Sequence, residues 1–97
     1  MKQIELFYLT YCPYCDNARK AIAELKEENP SYQEIQILWI EESEEKELAD
    51  SRDYYYVPAI FHEGKKLYEA KPGHSYQKIK ACIQKALEAV MASSEVK

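Results

Sequence analysis

Residues 8–22 read YLTYCPYCDNARKAI, and a change of pattern inside this stretch decides the fold. Upstream, QIELFYL is rich in aliphatic, β-branched and aromatic residues and predicts a buried strand over 3–9. Downstream, Cys15, Ala18, Ala21, Ile22 and Leu25 recur at helical spacing, so one apolar face begins at Cys15. Pro13 suits a first helical turn, where its missing N–H would have no partner anyway. Asn29-Pro30 ends the helix, because the residue before a proline is pushed out of the α region. A strand therefore runs directly into a helix, with Cys12 and Cys15 at the junction.

Working outward, QEIQILWI predicts a second strand over 33–40, with Ile35, Ile37 and Trp39 alternating against polar neighbours. Ser43 followed by Glu44 and Glu45 predicts a capped short helix reaching about Arg52. The acidic run from Glu41 to Glu47 reads as its solvated face. Residues 57–62 predict a third strand that opens with Pro58, Glu63-Gly64-Lys65 a turn, and residues 66–69 its hairpin partner. After Pro72-Gly73, Ser75 caps a last helix whose inner face carries Ile79, Cys82, Ile83, Ala86, Leu87 and Val90. The order is β-α-β-α-β-β-α. The opening βαβ unit predicts a parallel pair joined by a right-handed crossover, and the hairpin adds two antiparallel strands. The result is an α/β mixed sheet with helices on both faces. One domain spans 1–92, and 93–97 form a polar tail.

With 97 residues, 46% hydrophobic and 31% charged, the composition is that of an ordinary globular domain that needs no disulfide to fold. The net charge of −4 argues against a nucleic-acid partner, whose phosphates call for a basic face. No stretch has the length of a membrane span, and the N-terminus reads as a strand, not a signal core. The expected setting is the cytoplasm and the expected state a monomer. A close cysteine pair there points to catalysis or metal binding before a permanent staple.

The chemistry of the pair follows from its place. A helix N-terminus offers unpaired N–H groups and a partial positive charge, which favour an anionic sulfur. Cys12 lies on the loop side and Cys15 heads the apolar stripe. Cys12 is therefore expected to attack a disulfide and Cys15 to resolve the mixed disulfide from below. The same spacing is half of a zinc site, but zinc takes four ligands, and Cys82, His62 and His74 have no clip spacing to complete it. Cys82 reads as a buried core residue.

Val57-Pro58 is the second signal. A cis bond at the start of that apolar strand would leave the Val57 backbone free to pair with an extended substrate; the alternative is an edge-strand proline that merely starts the strand. Taken together, CPYC at the first strand–helix junction, Val57-Pro58 and the element order resemble the glutaredoxins of the thioredoxin superfamily, from about Gln3 to Met91. The resemblance implies a four-stranded sheet in the order 2-1-3-4 and thiol-disulfide oxidoreduction. It further implies Cys12 as nucleophile, Cys15 as resolving cysteine, Pro58 as the cis-proline, and Val57 as the backbone that grips glutathione or substrate.

Around that frame, Tyr11, Pro13 and Tyr14, together with Tyr54-Tyr55-Tyr56, are candidates to line the substrate groove, as are Gly73, His74 and Ser75; the tyrosines read equally as strand-forming aromatics at a half-exposed edge. The chain departs from the family pattern where charge is expected. Leu9 stands in place of the Lys or Arg three residues before the first cysteine. Lys71-Pro72-Gly73-His74-Ser75 replaces the acid-bearing glycine stretch, and Leu6 stands where thioredoxins carry a buried aspartate. No organic cofactor is expected to be bound. Glutathione is a candidate reductant weakened by these departures, and a reductase of the thioredoxin type is the alternative donor. The substrate is a protein or low-molecular-weight disulfide. A metal or iron–sulfur centre held through Cys12, and a redox-inert adaptor, are the competing readings. Metal analysis of anaerobically purified protein and a turnover assay separate them.

Overall fold

The computed structural model of the chain describes residues 2–93; Met1 and residues 94–97, with all but the first position of the expected polar tail, lie outside it. The elements are β1 (Gln3–Tyr8), α1 (Pro13–Glu28), a 3-10 turn (Pro30–Glu34), β2 (Gln36–Glu41), α2 (Lys46–Asp50), β3 (Ala59–His62), β4 (Lys65–Glu69) and α3 (Tyr76–Ser93). The strands form one sheet in the order β2-β1-β3-β4. β1 and β2 run parallel, and β3 is antiparallel to both β1 and β4. This is the expected α/β arrangement.

Alternation along the central strands sends neighbours to opposite faces. Ile4 and Leu6 of β1, with Ile60 of β3, join Ala18, Ile22 and Leu25 of α1 and Ile79, Ile83 and Leu87 of α3 in the main core. Phe7, Ala59 and Phe61 turn the other way and meet Ile40 and Ala49, so α2 covers the second face. Glu63 and Gly64 both have positive φ, 51° and 83°, between the paired His62 and Lys65. Two left-handed residues make the tight hairpin turn whose twist matches the strands, and glycine takes one at no steric cost. Among the described residues no helix is long and apolar enough to cross a membrane.

Several boundaries differ from the expected ones. β2 begins at Gln36, three residues late, because Asn29 starts a new turn instead of merely ending α1. Its side-chain oxygen accepts from the backbone N–H of Ser31 at 3.2 Å and from its hydroxyl at 2.6 Å. β1 ends at Tyr8, and β3 begins at Ala59, so Val57 and Pro58 precede the strand. Ser43 does not cap α2. The helix starts at Lys46 behind Glu45, which makes no side-chain cap bond, and it ends at Asp50. Cys82 is half-buried at the edge of the main core.

Candidate active site

Cys12 is the N-cap of α1, in extended backbone at φ −106° and ψ 112°. Its Sγ accepts the Cys15 N–H at 3.1 Å, which uses one of the four N–H groups a helix start leaves without partners. On its other side the thiol faces the Val57 carbonyl at 3.9 Å. The Val57-Pro58 bond is cis, as expected. Pro58 itself is buried and Val57 half-buried. All three cysteines are free thiols.

The two motif cysteines differ as their positions imply. Cys12 is half-buried, whereas Cys15 is only 3% exposed in the core. Burial, reinforced by the bond to Cys12, pushes the Cys15 thiol up to about 12. Cys15 therefore rests as a neutral thiol.

The loop carrying Cys12 is held by a residue the acidic run conceals. Glu41 is not part of a solvated helix face. It ends β2 with 9% exposure, and its carboxylate accepts four hydrogen bonds. Thr10 donates its N–H and hydroxyl to Oε2, both at 3.0 Å. Ser43 donates its N–H at 2.7 Å and its hydroxyl to Oε1. These bonds, the Ser43 hydroxyl foremost, hold the Glu41 carboxyl at about 2. The folded value lies below the ordinary carboxylate range, so the stabilisation is complete above about pH 4.5 and is lost as pH falls toward 2. The urea midpoint of wild type is expected to fall more steeply over that window than that of Glu41→Gln. Parallel midpoint curves would show that this carboxylate carries no acid-linked stability.

The tyrosines separate. Tyr54 turns toward the second core cluster: it packs with Phe7 and Phe61 at centroid distances of 5.2 and 6.0 Å and donates its hydroxyl to Glu42 at 2.6 Å. Tyr55 and Tyr56 stay exposed in the loop before Val57, and their N–H groups donate to Oε2 of Glu69 at 2.6 and 2.9 Å. Burial pushes the Glu69 carboxyl up, but Lys66 at 2.8 Å and these two N–H groups outweigh it and leave the carboxyl at about 2. Tyr11, directly before Cys12, is 95% exposed and sits in the left-handed region at φ 66°. Pro13 is exposed on the first turn of α1.

Tyr14 reaches across to the loop before α3, where its hydroxyl accepts the Gly73 N–H at 2.7 Å. Gly73 has φ 92°, a conformation that suits glycine. His74 Nδ1 lies 3.1 Å from the Tyr68 hydroxyl, with the rings stacked. Ser75 accepts the Lys78 N–H at 3.1 Å and caps α3 as expected. The loop 71–75 is thus brought to the active-site helix and tied to it. His62, by contrast, lies at the far end of β3, its Nδ1 2.8 Å from the Gln3 carbonyl. Among the described residues no group of three or more His, Cys, Asp or Glu is placed to hold a metal ion.

Arg52, Arg19 and Lys20 are each engaged by a partner. Arg52 forks onto Glu5 at 2.9 and 2.8 Å, Arg19 lies 4.3 Å over the Trp39 ring, and Lys20 Nζ lies 5.2 Å over Tyr76. Leu9 is half-buried, and Leu6 is fully buried in the main core.

The glutaredoxin family model matches residues 4–67. Among solved structures, thioredoxin 1 of Thermosipho africanus is 18% identical with a TM-score of 0.57, covering 90% of this chain and 96% of its own. The germline-specific thioredoxin Deadhead of Drosophila melanogaster is 19% identical with a TM-score of 0.56, covering 86% and 78%. A malarial protein is 19% identical with a TM-score of 0.57, covering 86% and 93%. At these identities the structures show the shared thioredoxin fold. No curated protein matches the chain.

Proposed function

The chain belongs to the glutaredoxin family, and from that premise we propose that it reduces disulfides through the Cys12/Cys15 dithiol. The observation that carries this reading is the asymmetry of the pair: an accessible sulfur at a helix start, facing the Val57 carbonyl at 3.9 Å, above a buried thiol. The Cys12 thiolate attacks one sulfur of a substrate disulfide. A Cys12–substrate disulfide forms, and the other substrate sulfur leaves as a thiolate. Cys15 then attacks Cys12 Sγ, giving its proton up toward the departing thiolate as the second substrate sulfur is released. The substrate has gained two electrons, and the Cys12–Cys15 disulfide has lost them. A dithiol or thiol donor returns the electrons by the same two exchanges in reverse.

The thiol raised by burial suits the resolving role, because it is silent until a mixed disulfide lies directly above it. An extended substrate segment pairing with the Val57 backbone would set its sulfur against Cys12. The test is reduction of insulin and of a small mixed disulfide, each run with glutathione plus its reductase and with a thioredoxin-reductase system. Turnover with at least one donor, abolished by prior alkylation of Cys12, is expected. Absence of turnover with every donor would leave a redox-inert adaptor as the better reading.

A further inference from the structure

We propose that Glu41 and Glu69 are positioning residues, a pair of carboxylate latches that fix the gap between the Cys12 sulfur and the Val57 backbone. The gap they set favours disulfides carried on a polypeptide over small ones. The inference rests on the reading of Cys12 as the attacking thiol.

The argument begins with topology. β2 and β4 are the two edge strands of the sheet. The register pairs Tyr8 with Glu41 and Ala59 with Glu69. Both edge strands therefore end on the side of the sheet where β1 delivers Cys12 and where β3 begins after Pro58. Each ends in a glutamate that turns inward onto a different jaw of the site. Glu41 holds Thr10, two residues before Cys12, while Glu69 holds Tyr55 and Tyr56, immediately before Val57.

The two latches bond differently: Glu41 needs both carboxylate oxygens, whereas Glu69 holds its loop through one. Glu41 presents two oxygens to four donors, Thr10 on one and Ser43 on the other. An amide could accept from one pair only. Between the latched Thr10 and Cys12 stands Tyr11 at φ 66°, a conformation a tyrosine adopts only when its surroundings impose it. Glu69 Oε2 receives two consecutive backbone N–H groups, a concave donor pair that suits a single acceptor oxygen. Neither carboxylate bonds to the sulfur or to Val57. Their effect on chemistry runs through the two backbones they hold.

A small disulfide needs only the Cys12 sulfur. A polypeptide disulfide must also lie along Val57, so its rate depends on the distance between the jaws. Displacements of about 1 Å cost reacting groups up to about a hundredfold. The experiment measures kcat/KM for insulin and for bis(2-hydroxyethyl) disulfide, with dithiothreitol as reductant so that no reductase partner enters. Glu41→Ala and Glu69→Ala are expected to lose about tenfold or more on insulin and less than about threefold on the small disulfide. Glu69→Gln keeps an oxygen for Tyr55 and Tyr56 and should recover most of the loss. Glu41→Gln should not, because Thr10 and Ser43 both require an acceptor. If the alanine variants do not fold, the contrast between the two glutamine variants decides. Equal losses on both substrates, as a purely structural role would give, or no loss on either, overturns the inference. A wild type inert toward both substrates overturns the dithiol reading and this inference with it. An active wild type whose variants show no split overturns this inference alone.

Discussion

Replacing Cys12 by serine is expected to lower disulfide-reducing turnover by at least about a thousandfold, because the attacking group is removed and a hydroxyl does not substitute for it. Cys15→Ser should behave differently. Attack by Cys12 remains available, but nothing lies beneath the mixed disulfide to release it, so the protein should accumulate covalently joined to substrate. The structural basis is the contrast in environment. Cys12 Sγ lies at the N-terminus of α1 within reach of an N–H donor, whereas Cys15 is 3% exposed with its thiol pushed up to about 12. A thiol raised that far by burial stays protonated at pH 7 and is a poor nucleophile toward an alkylating agent. Iodoacetamide at neutral pH should therefore modify Cys12 first, with Cys15 and the half-buried Cys82 following slowly. Mass spectrometry of a time course checks the order. Earlier labelling of Cys15 or Cys82 would show that the roles are assigned to the wrong sulfur.

The parts of the fold that could be read from sequence are those where burial imposes a period. The stripe from Cys15 to Leu25 and the face from Ile79 to Val90 are the surfaces by which α1 and α3 cover the sheet, and both were visible as helical spacing. The cis Val57-Pro58 bond was legible through the family resemblance, since a proline at the head of an apolar run is by itself equally a plain strand start. What was hidden is the polar machinery. Glu41 sits in a run of acids and looks like its neighbours; only the register with Tyr8 turns it inward to Thr10. Its proximity to Ile40 at the end of an apolar strand was the one available hint. Glu69 carried no signal, since its partners Tyr55 and Tyr56 lie in an irregular segment whose path no periodicity describes. The tyrosine triplet was ambiguous for the same reason. The chain bends between residues, so Tyr54 enters the aromatic cluster while Tyr55 and Tyr56 face outward. Ser43 shows how a local rule yields to tertiary context: a hydroxyl suited to capping a helix is taken by a nearer carboxylate.

Turnover driven by glutathione is expected to be slow, and turnover driven by a thioredoxin-reductase-type donor faster. The glutathione clamp implied by the family resemblance uses a cation before the first cysteine, the backbone beside the cis-proline, and an acid near the glycine stretch. Of these the chain retains the backbone beside Pro58. Leu9 supplies no charge, Arg52 and Lys20 are held by Glu5 and over Tyr76, and the exposed Lys71 stands in the glycine stretch, where the family carries an acid. At the other end Gly73 N–H, a donor otherwise open to a ligand, already bonds to the Tyr14 hydroxyl at 2.7 Å. Charge-assisted hydrogen bonds contribute about 1.5–3 kcal/mol each. Two missing ones weaken binding by on the order of a hundredfold or more, since each 1.4 kcal/mol is tenfold. A protein donor is less affected, because it brings its own backbone to Val57 and does not depend on anchoring a small charged ligand at both ends. The measurement is kcat/KM for one small mixed disulfide with the two donor systems side by side, together with glutathione affinity by calorimetry on the Cys15→Ser variant. Introducing a cation with Leu9→Lys should raise glutathione-driven kcat/KM by about tenfold, the value of one restored charge-assisted bond, and leave the reductase-driven rate nearly as it was. Micromolar affinity for glutathione in the unaltered sequence at position 9, with brisk glutathione-driven turnover, would show that the clamp is assembled from other groups.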